Sequence, residues 1–178
     1  MINKSVEEKI EDYIKNQLTQ LGLKYYTKNE MINLEIEKAL KLFPSKTGKN
    51  GGNFPDIKLL IDDIPIIIEV KGRFENLIKQ NIGQNGLELD MSFYGISNYA
   101  CNGSVHYAHA ILTHTQYGKV IAIGIAGNTI YNGEVNPNIS IWSYLVTREE
   151  HKLLKSIKNK RDLTNLLNVK DIINKETK

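Results

Sequence analysis

The chain has 178 residues, 41% hydrophobic and 24% charged, the balance of a soluble globular protein with one sizeable core. Its formal net charge of +3 admits a nucleic-acid partner without requiring one. A single cysteine, Cys101, excludes an internal disulfide framework. No apolar run approaches the roughly 20 residues that span a bilayer, and the charged start MINKSVEEKIEDY lacks the apolar stretch of a secretory signal, so a cytoplasmic protein away from the membrane is expected.

In SVEEKIEDYIKNQLTQLG, Ser5 and Glu8 fit a capping box, and Val6, Ile10, Ile14, Leu18 and Leu21 recur at helical spacing. Gly22 fits a stop, so a helix is expected there. EMINLEIEKALKLF reads as a second helix, with Ile32, Ile36, Ala39, Leu40 and Phe43 as its apolar stripe and Pro44 behind it. SKTGKNGGN is a loop. It lacks the order G-x-x-x-x-G-K-[ST] and no strand precedes it, which excludes a nucleotide phosphate loop. A basic loop beside a nucleic-acid backbone and a plain connector are the two readings left. DIKLLI and PIIIEVKG flank the turn signal DD and are apolar on both faces, as central strands of a covered sheet are. Residues 73–94, with Gly83 and Gly86, read as a long loop with one helical turn. ISNYACNGSVHYAHAILTHT reads as a helix despite Gly103, and KVIAIGIAG and ISIWSYLV as two further buried strands. TREEHKLLKSI reads as a helix capped by Thr147 and Glu150, and RDLTNLLNVKDIINKETK as a final helix or pair of turns. Nothing marks a domain boundary. Residues 1–178 form one domain in this reading, with 158–178 as a C-terminal helical extension or linker.

The chemistry concentrates in PDIKLLIDDIPIIIEVKG, residues 55–72. Side chains alternate along a strand, so Glu69 and Lys71 share a face. A hairpin folded at Asp62 and Asp63 returns Glu69 to Asp56. Two carboxylates and an ammonium then meet at one end of a buried sheet, where a divalent cation relieves the repulsion between the carboxylates. Hard oxygen ligands suit Mg2+, with Mn2+ as a substitute, held by Asp56, Glu69 and the Val70 carbonyl. Such a site suits phosphodiester hydrolysis, with Lys71 orienting the attacking water or stabilising developing charge. Each piece alone has a plain structural reading, PD as a turn and E-x-K as charges at a solvated edge. Together, in a hairpin otherwise made of Ile and Leu, they carry a cost that calls for a purpose. Lys46 and Lys49 are candidate phosphate contacts. Tyr99, Asn102 and His106, at i, i+3 and i+7, are candidates for a DNA-facing helix face. His106, His109 and His114 lack the accompanying ligands of a metal cluster and read as packing or surface residues.

PD at 55–56 and EVK at 69–71, with this spacing, resemble the signature of the PD-(D/E)XK nuclease superfamily. The resemblance covers residues 30 to about 126. It is strongest to the N-terminal cleavage domains of type IIG and type ISP restriction–modification enzymes, through IEKALKLF and YACNGSVHYA. It implies an α/β fold with a restriction-endonuclease-like core, a central mixed sheet of four to five strands flanked by helices. It also implies an additional catalytic acidic residue, Glu37, with Glu35 as its rival and an i,i+4 pair with Lys41 as the alternative role of Glu37. Gly95 stands four residues before Tyr99, where RecB-like nucleases carry Gln, which argues against that subgroup. The resemblance implies a Mg2+-dependent endonuclease acting on double-stranded DNA, with target reading in a methyltransferase or specificity domain or subunit. A repair or junction-resolving nuclease of the same fold, a DNA-binding module without catalysis and a metal-free protein-interaction domain are the alternatives.

Overall fold

The computed structural model describes residues 4–48, 51–127, 130–131, 134–135 and 139–160. Helix α1 (Val6–Gln20) begins as its sequence predicts. The Glu8 N–H donates to Ser5 Oγ and the Ser5 N–H to Glu8 Oε2, and Gly22 ends the element at φ +72°. A two-residue strand β1 (Tyr26–Thr27) follows, then α2 (Leu34–Leu42). Asn33 caps α2 through the Ile36 N–H, so the helix is shorter than its apolar stripe suggests.

Strands β2 (Ile57–Ile61) and β3 (Ile64–Lys71) form the expected hairpin, pairing Ile57 with Ile68 and Ile61 with Ile64. Asp62 and Asp63 make the two-residue turn, both at positive φ, which matches the right-handed twist of the strands. Carried one step further, the register sets Asp56 against Glu69. A short 3₁₀ turn (Phe74–Asn76), a hairpin of β4 (Gln80–Gly83) and β5 (Gly86–Leu89), and helices α3 (Phe93–Asn98) and α4 (Ala100–His114) lead to β6 (Val120–Ala126). That strand lies parallel to β3. Beyond it come the short pair β7 (Ile130–Tyr131) and β8 (Glu134–Val135), then β9 (Ile139–Val146) and β10 (His151–Lys160).

The main sheet is six-stranded and mixed, in the order β1-β2-β3-β6-β9-β10. Ile10, Ile14 and Leu18 of α1 pack on one face, against Ile66, Ile68 and Val70 of β3 and Ile121, Ile123 and Ile125 of β6. Helices α2 and α4 cover the other face, through Ile36, Leu40, Val105 and Ile111. Each fully buried Ile or Leu contributes about 1.5–3 kcal/mol, and this two-sided cover is why both central strands lack alternation. Among the described residues no helix is long and apolar enough to cross a membrane.

Four expectations need correction. The sheet has six strands rather than four or five, because β1 and β10 extend its two ends. Residues 73–94 hold a hairpin turned at Gly86, whose φ is +99°. The helix expected from Ile96 breaks at Tyr99, which is extended at φ −125°, into α3 and α4. Residues 151–160 form a strand, where a helix is expected from the sequence. The cap signal is real: the Glu150 N–H donates to Thr147 Oγ1 and the Thr147 N–H to the Glu150 carbonyl. These bonds close the turn into β10, whose pairing with β9 outweighs the local helical preference. The helix expected over RDLTNLLNVKDIINKETK lies outside the described residues.

Candidate metal-binding and catalytic centre

Asp56 and Glu69 lock each other in place. The Asp56 N–H donates to Glu69 Oε1 at 3.0 Å, and the Val70 N–H donates to Asp56 Oδ2 at 2.8 Å. Both residues are buried, 4% and 3% exposed. One oxygen of each carboxylate is therefore committed to the backbone of the hairpin. The other oxygen is held by a lysine in each case. Lys28 Nζ lies 3.1 Å from Asp56 Oδ1, and Lys46 Nζ lies 3.0 Å from Glu69 Oε2. Lys46 also sits over the ring of Tyr107, 4.8 Å from its centroid. Gly103 of α4 lies beside this pair, and it has no side chain where a β-carbon would lie 2.9 Å from the Ile96 carbonyl.

Helix α1 adds Glu7 and Glu11, one turn apart on one face. Ligand oxygens of Glu7, Glu11 and Asp56 lie within 4.8 Å of one another. The crowding of negative charge at a partly dry site is legible in proton affinities. Burial, then the charge of Asp56 and a hydrogen bond to it, push Glu11 up to about 8. Burial and the Asp56 charge push Glu69 up to about 7 against the opposing pull of Lys46. Glu7 is also raised, by burial, with Lys71 opposing. For Lys28, burial works to lower the pKa, but Asp56, Glu69 and Glu11 outweigh it and hold the ammonium in its charged form.

Lys71 Nζ donates to the Ser97 carbonyl at 3.3 Å, and Ser97 Oγ donates to the Lys46 carbonyl at 2.9 Å. One residue of α3 thus ties the end of β3 to the loop that carries Lys46. A groove of about 300 Å³ runs past Lys71 and the exposed Arg73, between the end of β3 and the start of α1. At its wall a β-carbon on Gly72 would lie 3.1 Å from the Glu7 nitrogen, so α1 approaches β3 closely because residue 72 has no side chain.

The structure brings together Asp56, Glu69 and Lys46, and Val70 contributes its N–H, whereas Lys71 reaches the Ser97 carbonyl and its charge acts on Glu7. The cluster of neighbouring carboxylate oxygens consists of Glu7, Glu11 and Asp56; it includes neither Glu37 nor Glu35, nor Glu69, which meets Asp56 through the Asp56 N–H. Burial lowers the pKa of Lys58, which is 1% exposed, and Glu37 and Glu30 act against that burial. Glu37 also lies 3.9 Å from Lys41, and Glu35 accepts from the Gln116 N–H. The carboxylates that stand beside Asp56 come instead from α1, upstream of residue 30. Glu7 and Glu11, at i and i+4, share one side of α1 near its cap, but nothing local points them at residue 56.

Tyr99, Asn102 and His106 do not share a cleft face. Tyr99 sits in the break before α4, its hydroxyl bonded to Tyr94, whose ring lies 6.1 Å away. Asn102 is fully buried and clamps the base of the β4–β5 hairpin through the Lys79 N–H, the Lys79 carbonyl and the Asp90 carbonyl. His106 Nε2 lies 2.9 Å from the Pro44 carbonyl, and burial pushes its pKa down to about 4, so at neutral pH the uncharged ring donates there. Lys49 lies outside the described residues.

A buried pair of carboxylates thus stands at the end of a mixed sheet, each with one oxygen facing a lysine ammonium, with the carboxylates of Glu7 and Glu11 beside Asp56. In sequence the chain is similar to the type II restriction enzyme and methyltransferase RM.BcgI of Heyndrickxia coagulans, with 30% identity over 152 residues, which are 85% of this chain. The chain spans 22% of the length of that relative. No family model and no solved structure matches the chain.

Proposed function

We propose that the protein is a Mg2+-dependent DNA endonuclease, the cleavage module of a restriction–modification system. The observation that carries this reading is the reciprocal lock between Asp56 and Glu69, which leaves one oxygen of each free of the backbone and facing a cation. The donor set fits a divalent metal: all hard oxygens, in surplus negative charge, already accepting positive charge from two ammonium groups. Asp56 and Glu69 would hold it, with the Val70 carbonyl as a further ligand and Glu11 and Glu7 beside or behind them. When bound, the metal would supply polarisation of the phosphate and acidification of a bound water.

The chain's own groups do the rest. Lys71, tethered at Ser97, would orient the attacking water or stabilise charge that develops on the phosphate oxygens. Lys71 and Arg73 line the groove, and with Lys46 and Lys49 they offer contacts to the sugar-phosphate backbone. The similarity to a fused restriction enzyme and methyltransferase supports a partner of that kind for target recognition. A second reading, a DNA-binding module without catalysis, draws on the same two lysines, which neutralise both carboxylates without any metal. Incubating plasmid DNA with Mg2+ or Mn2+ separates the two. Cleavage that falls about 10²–10³-fold or more in Asp56→Ala and in Lys71→Ala is expected. Binding without cleavage by the intact protein, supplied with its specificity partner, would reject the nuclease reading.

A further inference from the structure

Lys28 and Lys46 reach the centre from two separate segments, one after β1 and one in the loop after α2. Each ends on the single carboxylate oxygen that the Asp56–Glu69 lock leaves open, Oδ1 and Oε2. A divalent cation held by the same two oxygens would face both ammonium groups at short range, in a site where burial weakens screening. Two like charges cannot both keep those positions. The backbone of Lys46 is pinned by Ser97, so only its side chain is free to leave. The side chain of Lys28 is already 52% exposed and loses little by turning outward.

We infer that Lys28 and Lys46 are displaceable counter-ions, which neutralise Asp56 and Glu69 in the metal-free protein and are released to contact DNA phosphates when a divalent cation takes those oxygens. The inference rests on the metal site proposed above. It makes metal and DNA binding reinforce each other, since the lysines become available to DNA only once the metal has replaced them, and reciprocity follows from linkage. It also spares the metal-free protein an uncompensated buried charge.

The test measures binding, not cleavage. Calorimetric titration with Mn2+ at pH 8.5, without DNA, compares the wild type with Lys28→Met, Lys46→Met and Asp56→Asn. Removing a lysine removes a charged hydrogen bond that the metal must break, so each Met variant is expected to bind Mn2+ about tenfold more tightly. A labelled duplex is then titrated at several salt concentrations in Ca2+ and in EDTA. The wild type should show a steeper salt dependence in Ca2+, and each Met variant should lose roughly one phosphate's share of that steepening, a slope of about 0.9. Lys28→Met alters a half-exposed side chain and keeps the test available if Lys46→Met folds poorly. If Asp56→Asn abolishes Mn2+ binding while both Met variants bind it no more tightly than the wild type, the lysines are static and the inference fails although the site stands. If Asp56→Asn leaves Mn2+ binding intact, the site itself is misplaced and both readings fall.

Discussion

Glu69→Gln is expected to change how stability depends on pH, and to do so in a direction opposite to that of an ordinary salt-bridge loss. In the metal-free protein burial and Asp56 raise the Glu69 carboxyl from 4.5 to about 7. Between those values the native state holds a proton that the unfolded chain has released, so the contribution of Glu69 to stability falls as pH rises and levels off above 7. At about 1.4 kcal/mol for each tenfold change in proton affinity, the loss is about 3 kcal/mol. For a chain of this size that is roughly 6–12 °C in melting temperature. The raw profile of the wild type is not enough, because His106 acts in the opposite sense. Its ring stays neutral down to about 4 against an ordinary 6.5, so its contribution rises over that interval. Gln at position 69 keeps an acceptor for the Asp56 N–H and cannot ionise, so the difference between the two proteins isolates Glu69. Thermal unfolding in EDTA from pH 4.5 to 8.5 should show the wild type losing about 3 kcal/mol relative to the variant. Saturating Mg2+ should reverse the trend at the alkaline end, because only the wild type offers the metal a carboxylate at 69 and native-state ligands stabilise. A gap between the two proteins that stays constant over the whole range would refute the placement of Glu69 as a buried carboxyl crowded by Asp56.

Asn102→Ala should lower stability by about 1–3 kcal/mol, since the partly buried Lys79 N–H and Asp90 carbonyl lose the partner that Asn102 gives them. In titrations of a duplex its DNA affinity should match that of the wild type, which a DNA-contacting asparagine would not allow. Glu11→Gln should weaken Mn2+ binding by about 10–100-fold in calorimetry, as supporting groups around a metal do, whereas Glu37→Gln should leave it unchanged. The chain alone should bind duplexes of unrelated sequence alike, with Kd of ~10⁻⁴–10⁻⁶ M at physiological salt. Strong discrimination in a gel-shift competition would place target reading inside this domain instead.

Local chemistry determined much of this protein. The capping box at Ser5 and Glu8, the Asp62–Asp63 turn and the unbroken Ile and Val runs act over a few residues, and each was legible because near neighbours decide it. The opposition of Asp56 to Glu69 follows from hairpin register alone, which counts residues and needs no distant partner. Tertiary structure decided the rest. Residues 151–160 carry an adequate helical pattern and become a strand because β9 offers a ladder of hydrogen bonds to complete. Which carboxylates stand beside Asp56 depends on how α1 crosses the sheet, with Gly72 letting Glu7 approach β3, and no period in the sequence encodes that contact. Lys46 could be read as a basic loop residue, but its pairing with Glu69 depends on where α3 and α4 hold the loop. Asn102 likewise looked like a polar face residue, and became a buried clamp because the hairpin before it folds back over α4. A sequence records which groups exist and how they are spaced. Which charges must share a dry space is set only when elements far apart in the chain exclude water between them.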